Sequence, residues 1–320
     1  MNMMKKIASI VLVAVVIGAC DPSNPFAPPP AEDYLNELVD VMKNNHINKA
    51  TINWDDLRTQ VLQKGAGAAT ISAANDAVLL ALELLDDRSS FVLTATGAII
   101  EYKVPCEDEA APEPTVPADI GYVLIPPYSN FGINAAIFAE KMHGTISSQD
   151  NASLKGWIID LRGNTGGNLW PMIAGIGPVL GNGTVGYFVD SDGLKKTFAY
   201  KDGTSFYNDE AVVTVSFPYV DFKSAGKKIA VLVDHSTSNA GEGVMVAFSG
   251  MANSRSFGSA TCGQGGGNQP FQLSDRSVLY LNVAYLEDRN EQNLQGVITP
   301  DEVIDDQAAV FNAAVDWINN

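Results

Sequence analysis

Basic residues are scarce in this chain. Lysine and arginine number 20 against 37 aspartates and glutamates, a formal net charge of −17. Such a surface repels phosphate backbones and argues against nucleic acid as a partner. It favours solubility and, among polypeptide partners, basic or neutral segments. Histidine and cysteine are scarcer still, with three of each. They do not cluster with acidic residues at metal-ligand spacing, so neither a metal nor a cofactor is expected. The glycine-rich stretch at 163–167 lacks the Gly-Lys-Ser/Thr ending of a phosphate loop. The apolar run IASIVLVAVVIGA at 7–19 is too short for a comfortable membrane span. What is present is an ordinary globular balance, 46% hydrophobic with 18% charged residues, enough to bury a sizeable core.

The first twenty residues read as an export signal. Lys5 and Lys6 precede the apolar run, which ends in VIGAC. That ending resembles a bacterial lipobox, and the resemblance makes Cys20 the lipidated first residue of a mature protein held at a membrane of the cell envelope. The proline-rich DPSNPFAPPPA (21–31) follows as its tether. An oxidising extracytoplasmic setting permits Cys106 and Cys262 to pair, but two independent thiols are the favoured reading.

Residues 32–92 carry three amphipathic helical patterns: AEDYLNELVDVMKNNH, INWDDLRTQVLQK with Asn53 as its cap, and ISAANDAVLLALELLDD. The acidic, proline-rich stretch within 93–119 reads as a linker or exposed loop. From 120 to 320 strand patterns (IGYVLIP, GWIIDL, TVGYFVD, AVVTVSF, KIAVLVD, SVLYLNVAYL) alternate with helices (NAAIFAEKMHGTI, LWPMIAGIGPVL, GEGVMVAFSGMA), and DQAAVFNAAVDWIN closes the chain. That order predicts an α/β domain with a largely parallel sheet. The run CGQGGGNQPF (262–271) reads equally as a groove-lining loop or a mobile surface loop.

Two turns carry the chemistry. GWIIDLRGNTGGNLWPM (156–172) takes a buried strand through Gly163, Asn164, Gly166 and Gly167 into a helix, a geometry that aims backbone amides outward at a helix N-terminus and suits an oxyanion. DHSTSNAGEGVMVAF (234–248) is a second tight strand-to-helix turn, where hydrolases hold a nucleophile. Ser236 and Ser238 are its candidates, with His235 as a base. His46 and His143 read as solvated surface residues.

DLRGNTGG, together with LELLDDRSSFV, TSNAGEGVMVAFSGMANSRSFG and VAYLEDRNEQNLQGVITPDEVI in the same order, resembles the C-terminal processing, or tail-specific, serine peptidases, in particular their short members without a PDZ module. The resemblance spans about 31–318 and implies a crotonase-like core of βα units behind a small helical domain, with peptide-bond hydrolysis through a serine acyl-enzyme. Carried over residue by residue, the family nucleophile falls on Asn239, three residues before Glu242. The lysine base of one branch falls on Gln264, and the histidine base of the other on Ser89. The oxyanion turn is intact: Gly166 and Gly167, with Asn239 and Ala240 beside them. Three readings stay open: an active peptidase with Ser238 as displaced nucleophile and His235 as base, a pseudopeptidase that binds extended polypeptide, and a scaffold with no peptide ligand.

Overall fold

The computed structural model describes residues 29–320, except 103, 104 and 109. The signal stretch, Cys20 and nearly all of the tether lie outside the described residues.

The helical patterns fold close to where the sequence puts them: α1 Ala31–Asn45, α2 Trp54–Lys64 and α3 Asn75–Leu85. Asn53 caps α2, its side chain accepting the Asp56 amide at 3.3 Å. These helices do not close a core of their own. Tyr34, Leu38, Val61, Val78 and Leu82 share one apolar cluster with Leu273, Leu279 and Leu281 from the far end of the chain. Two short strands, β1 Phe91–Leu93 and β2 Ile99–Glu101, follow α3 and pair into the same sheet as those leucines. Part of the expected linker is thus sheet.

Two sheets make up the rest. One is wholly parallel and runs β13 (Glu302–Val303), β10 (Ser254–Gly258), β9 (Lys228–Val233), β4 (Gly156–Asp160), β3 (Ile120–Leu124). Every residue of β4 is buried, as expected of a central parallel strand covered on both faces. On one side lies the last helix, α7 (Gln307–Asn319). On the other lie α4 (Ile133–Gln149), α5 (Leu169–Leu180) and α6 (Ala240–Phe248).

The second sheet is antiparallel and eight-stranded. Besides β1 and β2 it holds β5 (Gly183–Asp190), β6 (Lys195–Lys201), β7 (Thr204–Tyr207), β8 (Glu210–Thr214), β11 (Gly267–Gln272) and β12 (Val278–Asp288). Helix α6 touches both sheets and helix α5 packs on the second; both are buried on nearly every face, Glu242 being the one charged residue of α6, and Phe198, Tyr200 and Leu286 close the second face. The five-stranded parallel sheet is thus outnumbered by the eight-stranded antiparallel one, where the sequence suggested mainly parallel pairing. Part of CGQGGGNQPF is strand β11, paired with β12, rather than a loop throughout.

Two further readings need correction. His46 and His143 are buried, at 0% and 2% exposure. His46 donates from Nε2 to the Asp87 carboxylate at 2.8 Å and accepts the Asn48 amide on Nδ1 at 3.1 Å. His143 donates from Nε2 to the Ala174 carbonyl and accepts the Tyr219 amide on Nδ1. The cysteines are not independent: Cys106 and Cys262 form a disulfide with their Cα atoms 5.4 Å apart, inside the span such a bond requires.

Candidate functional site

The two turns meet at the C-terminal ends of β4 and β9, adjacent parallel strands. Asn164 joins them. It is fully buried, its carbonyl accepts the Ser238 amide at 3.0 Å, its Oδ1 accepts the Gly166 amide at 2.9 Å, and its Nδ2 donates to the Ile125 carbonyl at 2.8 Å. The first turn is also tied from behind. Gly163 donates to Asp234 at 2.8 Å, and burial pushes the Asp234 carboxyl upward from its ordinary range. The Asp160–Arg162 pair that opens the motif faces away from the turn. It is buried at 3% exposure on both sides with N–O 2.6 Å, and Arg162 reaches the Gln307 carbonyl at the start of α7. Its role is to lock β4 to α7.

Gly166 and Gly167 take φ of +97° and +112°, the left-handed region that favours glycine. A methyl group on Gly166 would stand 2.6 Å from the Asn239 Cβ and 3.0 Å from the Ala240 nitrogen, and one on Gly167 would overlap the Tyr128 carbonyl oxygen. The Gly166 amide is already committed to Asn164. The amides of Gly167 and Ala240 have no acceptor among the described residues, so they are the two donors that this junction offers to a ligand oxygen.

Asn239 opens α6 with φ 49° and ψ −114°. A non-glycine residue there is strained, as at the nucleophile elbow of hydrolases. Glu242 holds the elbow. It is wholly buried; Oε2 accepts the Asn239 amide at 3.0 Å, while Oε1 accepts the Gly263 amide at 2.7 Å and the Thr261 hydroxyl at 2.5 Å. Burial raises its carboxyl above the ordinary range, opposed by those hydrogen bonds.

The candidate nucleophiles and bases do not assemble. Ser238 is 2% exposed, and no base touches its hydroxyl among the described residues. His235 turns its Nδ1 to the Ala260 carbonyl at 3.3 Å. Ser236 accepts the Asp108 amide at 2.9 Å. Gln264 lies against Cys106, its Nε2 3.5 Å from Sγ. Ser89 is occupied with Asn268, whose Nδ2 donates to the Ser89 carbonyl at 2.8 Å.

Two features were missed in the sequence. Arg88, held at φ +59°, is the residue of the DDRSS loop that reaches across, donating to the Cys262 carbonyl at 3.2 Å. Only its side-chain length and its place beside the Ser89 position signalled it. The other is a strap. Around the disulfide, Asp108 accepts from the His235 amide, Ser259 and Gln307, which fastens the stretch after Cys106 along the 234–238 turn.

The model of peptidase family S41 matches residues 119–304, more than half of the chain. A nisin-resistance protein of Lactococcus lactis subsp. lactis is 24% identical over 296 residues, covering 92% of this chain and 89% of that one. The structure of a lipoprotein from Streptococcus agalactiae superposes with TM-score 0.71 at 23% identity, covering 92% of this chain and 97% of that one. The photosystem II D1 C-terminal processing protease superposes with TM-score 0.53 at 16% identity, over 87% and 94% of the two chains. The chain belongs to peptidase family S41.

Proposed function

We propose that this protein is a pseudopeptidase of the cell envelope, anchored through Cys20, that binds extended polypeptide without cleaving it. The observation that carries the reading is the elbow. On the sequence resemblance Asn239 falls at the position of the family's serine; it has the strained φ of 49° and ψ of −114° of an elbow residue, and its carboxamide stands in place of a reactive hydroxyl. Peptide hydrolysis by this route needs a nucleophile and a base within hydrogen-bond reach. Ser238, the nearest hydroxyl, is buried and without a base.

Recognition does not need the hydroxyl. Main-chain hydrogen bonds hold an extended chain whether or not a reaction follows, and the amides of Gly167 and Ala240 are free to take a ligand carbonyl. The likeness to a nisin-resistance protein makes nisin a natural second probe beside an unfolded polypeptide. The test is calorimetry of the wild-type protein with reduced, unfolded casein and with nisin. Binding in the micromolar range, about −8 kcal/mol, is the expected outcome. Absence of heat with both ligands, in protein that melts cooperatively, rejects the reading and leaves the scaffold alternative.

A further inference from the structure

The loop that leads into α4 is bonded directly to the oxyanion turn. The Tyr128 amide donates to the Gly166 carbonyl at 3.1 Å, and the Tyr128 carbonyl accepts the Asn168 amide. Asn168 Nδ2 donates to the Asn130 carbonyl at 3.0 Å, and Tyr128 forms a parallel bridge with Gly167. The loop is a fixed platform. The Tyr128 ring stacks on Phe138 with centroids 4.0 Å apart, and its hydroxyl donates to the Asn134 carbonyl at 2.6 Å. The residues that follow on this rim are apolar and face solvent: Phe131 is 75% exposed and Ile133 72%. Ile137, 41% exposed, stands one turn further along the same face of α4. Glu140 continues that face and accepts the Ser216 amide at 2.9 Å, which sets the next residue, Phe217, 87% exposed, beside the stripe.

Single exposed hydrophobes need no explanation, but four large ones on one stripe mark an interaction surface. The stripe does not serve the core. Ala135 and Ala139, on the other side of α4, already pack with Ala174, Val213 and Val215. Three kinds of occupant fit such a stripe: a lipid surface, a second copy of the chain, or a polypeptide. The formal net charge of −17 opposes the first two, because an anionic leaflet and a like-charged copy both repel it. It favours a neutral or basic polypeptide. Position favours the same occupant. The stripe starts on the rim of the turn whose Gly167 amide has no acceptor among the described residues. Extended chain advances about 3.3 Å per residue and turns alternate side chains to one face. A segment held at Gly167 therefore has Phe131 and Ile133 within a few residues' reach.

We infer that the stripe of Phe131, Ile133, Ile137 and Phe217 is the docking surface for apolar side chains of the polypeptide held at the Gly167–Ala240 junction. The preferred ligand is then an extended, neutral or basic segment in which apolar residues alternate with polar ones. The inference rests on the polypeptide-binding reading and gives it a substrate class.

The test is calorimetry with two peptides of equal length, one of repeated Leu-Ser and one of repeated Asn-Ser, each with a lysine at both ends and both termini blocked. Wild type should bind the leucine peptide roughly tenfold or more tighter than the asparagine peptide. The double variant Phe131→Ser, Ile133→Ser should lose that preference, keep its affinity for the asparagine peptide, and melt at the wild-type temperature, since both side chains are exposed. Phe217→Ser, on a separate loop, should reduce the same preference in part. Equal binding of the two peptides by wild type, or a preference that all these variants keep, overturns the docking surface and leaves polypeptide binding standing. Self-association in sedimentation, or binding to phosphatidylglycerol vesicles, that the double variant abolishes assigns the stripe to a second copy or a lipid surface and likewise overturns the inference. No binding of either peptide by wild type overturns both readings.

Discussion

Gly166 is the residue on which the junction most depends. Its φ of +97° and the 2.6 Å approach to the Asn239 Cβ are separate obstacles to any side chain. Gly166→Ala should lower stability by about 1–3 kcal/mol and weaken polypeptide binding, because relief of the clash must move the Ala240 amide. Denaturant unfolding beside calorimetry checks both; unchanged values would make the turn an ordinary one. His143 carries a pH signature. Burial lowers its pKa, and its two hydrogen bonds, donor at Nε2 and acceptor at Nδ1, fit only the neutral ring. The folded state thus binds a proton less readily than the unfolded one. Stability from this site is present above the ordinary histidine range, about pH 6.5, and falls as pH drops below it. Thermal melts from pH 7.5 to 5 should show the decline, and His143→Gln should flatten it. The place of Asn239 and the glycines was legible in DLRGNTGG and TSNAGE, since fixed spacing to Glu242 carries it. Arg88 was not: a loop residue at positive φ gains its meaning from Cys262, which is 174 positions away in the chain.

At the scale of elements, α6 is held by a carboxylate that accepts from two separate segments. Glu242→Gln replaces one acceptor oxygen with an NH₂ that must face a donor, either the Asn239 amide or the Thr261–Gly263 pair. A loss of about 1–3 kcal/mol is expected, and amide exchange at Asn239 should quicken while the core of β4 stays protected. The strap is the other element-level device. Reducing Cys106–Cys262, or replacing both by serine, should cost about 2–5 kcal/mol and speed exchange at the Asp108 and His235 amides. Exchange that stays slow after reduction would show the hydrogen bonds alone suffice. Helices α1, α2, α5 and α7 were legible nearly to the residue: apolar periodicity marks α1, α2 and α7, and a continuous apolar run between Asn168 and Gly181 marks α5. Strands β6, β7 and β10 were not. KKTFAYK and SRSFG carry too few apolar residues to announce a strand, and their pairing comes from neighbours already in place. The disulfide was unreadable for the same reason: nothing local brings positions 156 apart together.

For the whole molecule, the helical N-terminus shares its apolar core with the later chain: Leu279 and Leu281 of β12, with Leu273 before it, complete the cluster of α1–α3. The boundary near residue 92 was legible as a change of pattern, but not as a line across which strands pair. The fold of an S41 peptidase is retained around an elbow that carries asparagine, and the proposed role of that elbow is to hold polypeptide without cutting it. The most direct measurement passes unfolded casein over the immobilised wild-type protein, elutes what is retained after prolonged contact, and weighs it by mass spectrometry. Retained casein of intact mass is the predicted result. Retained or released fragments, absent when Ser238→Ala replaces the wild type, would contradict the account and return Ser238 to the role of nucleophile.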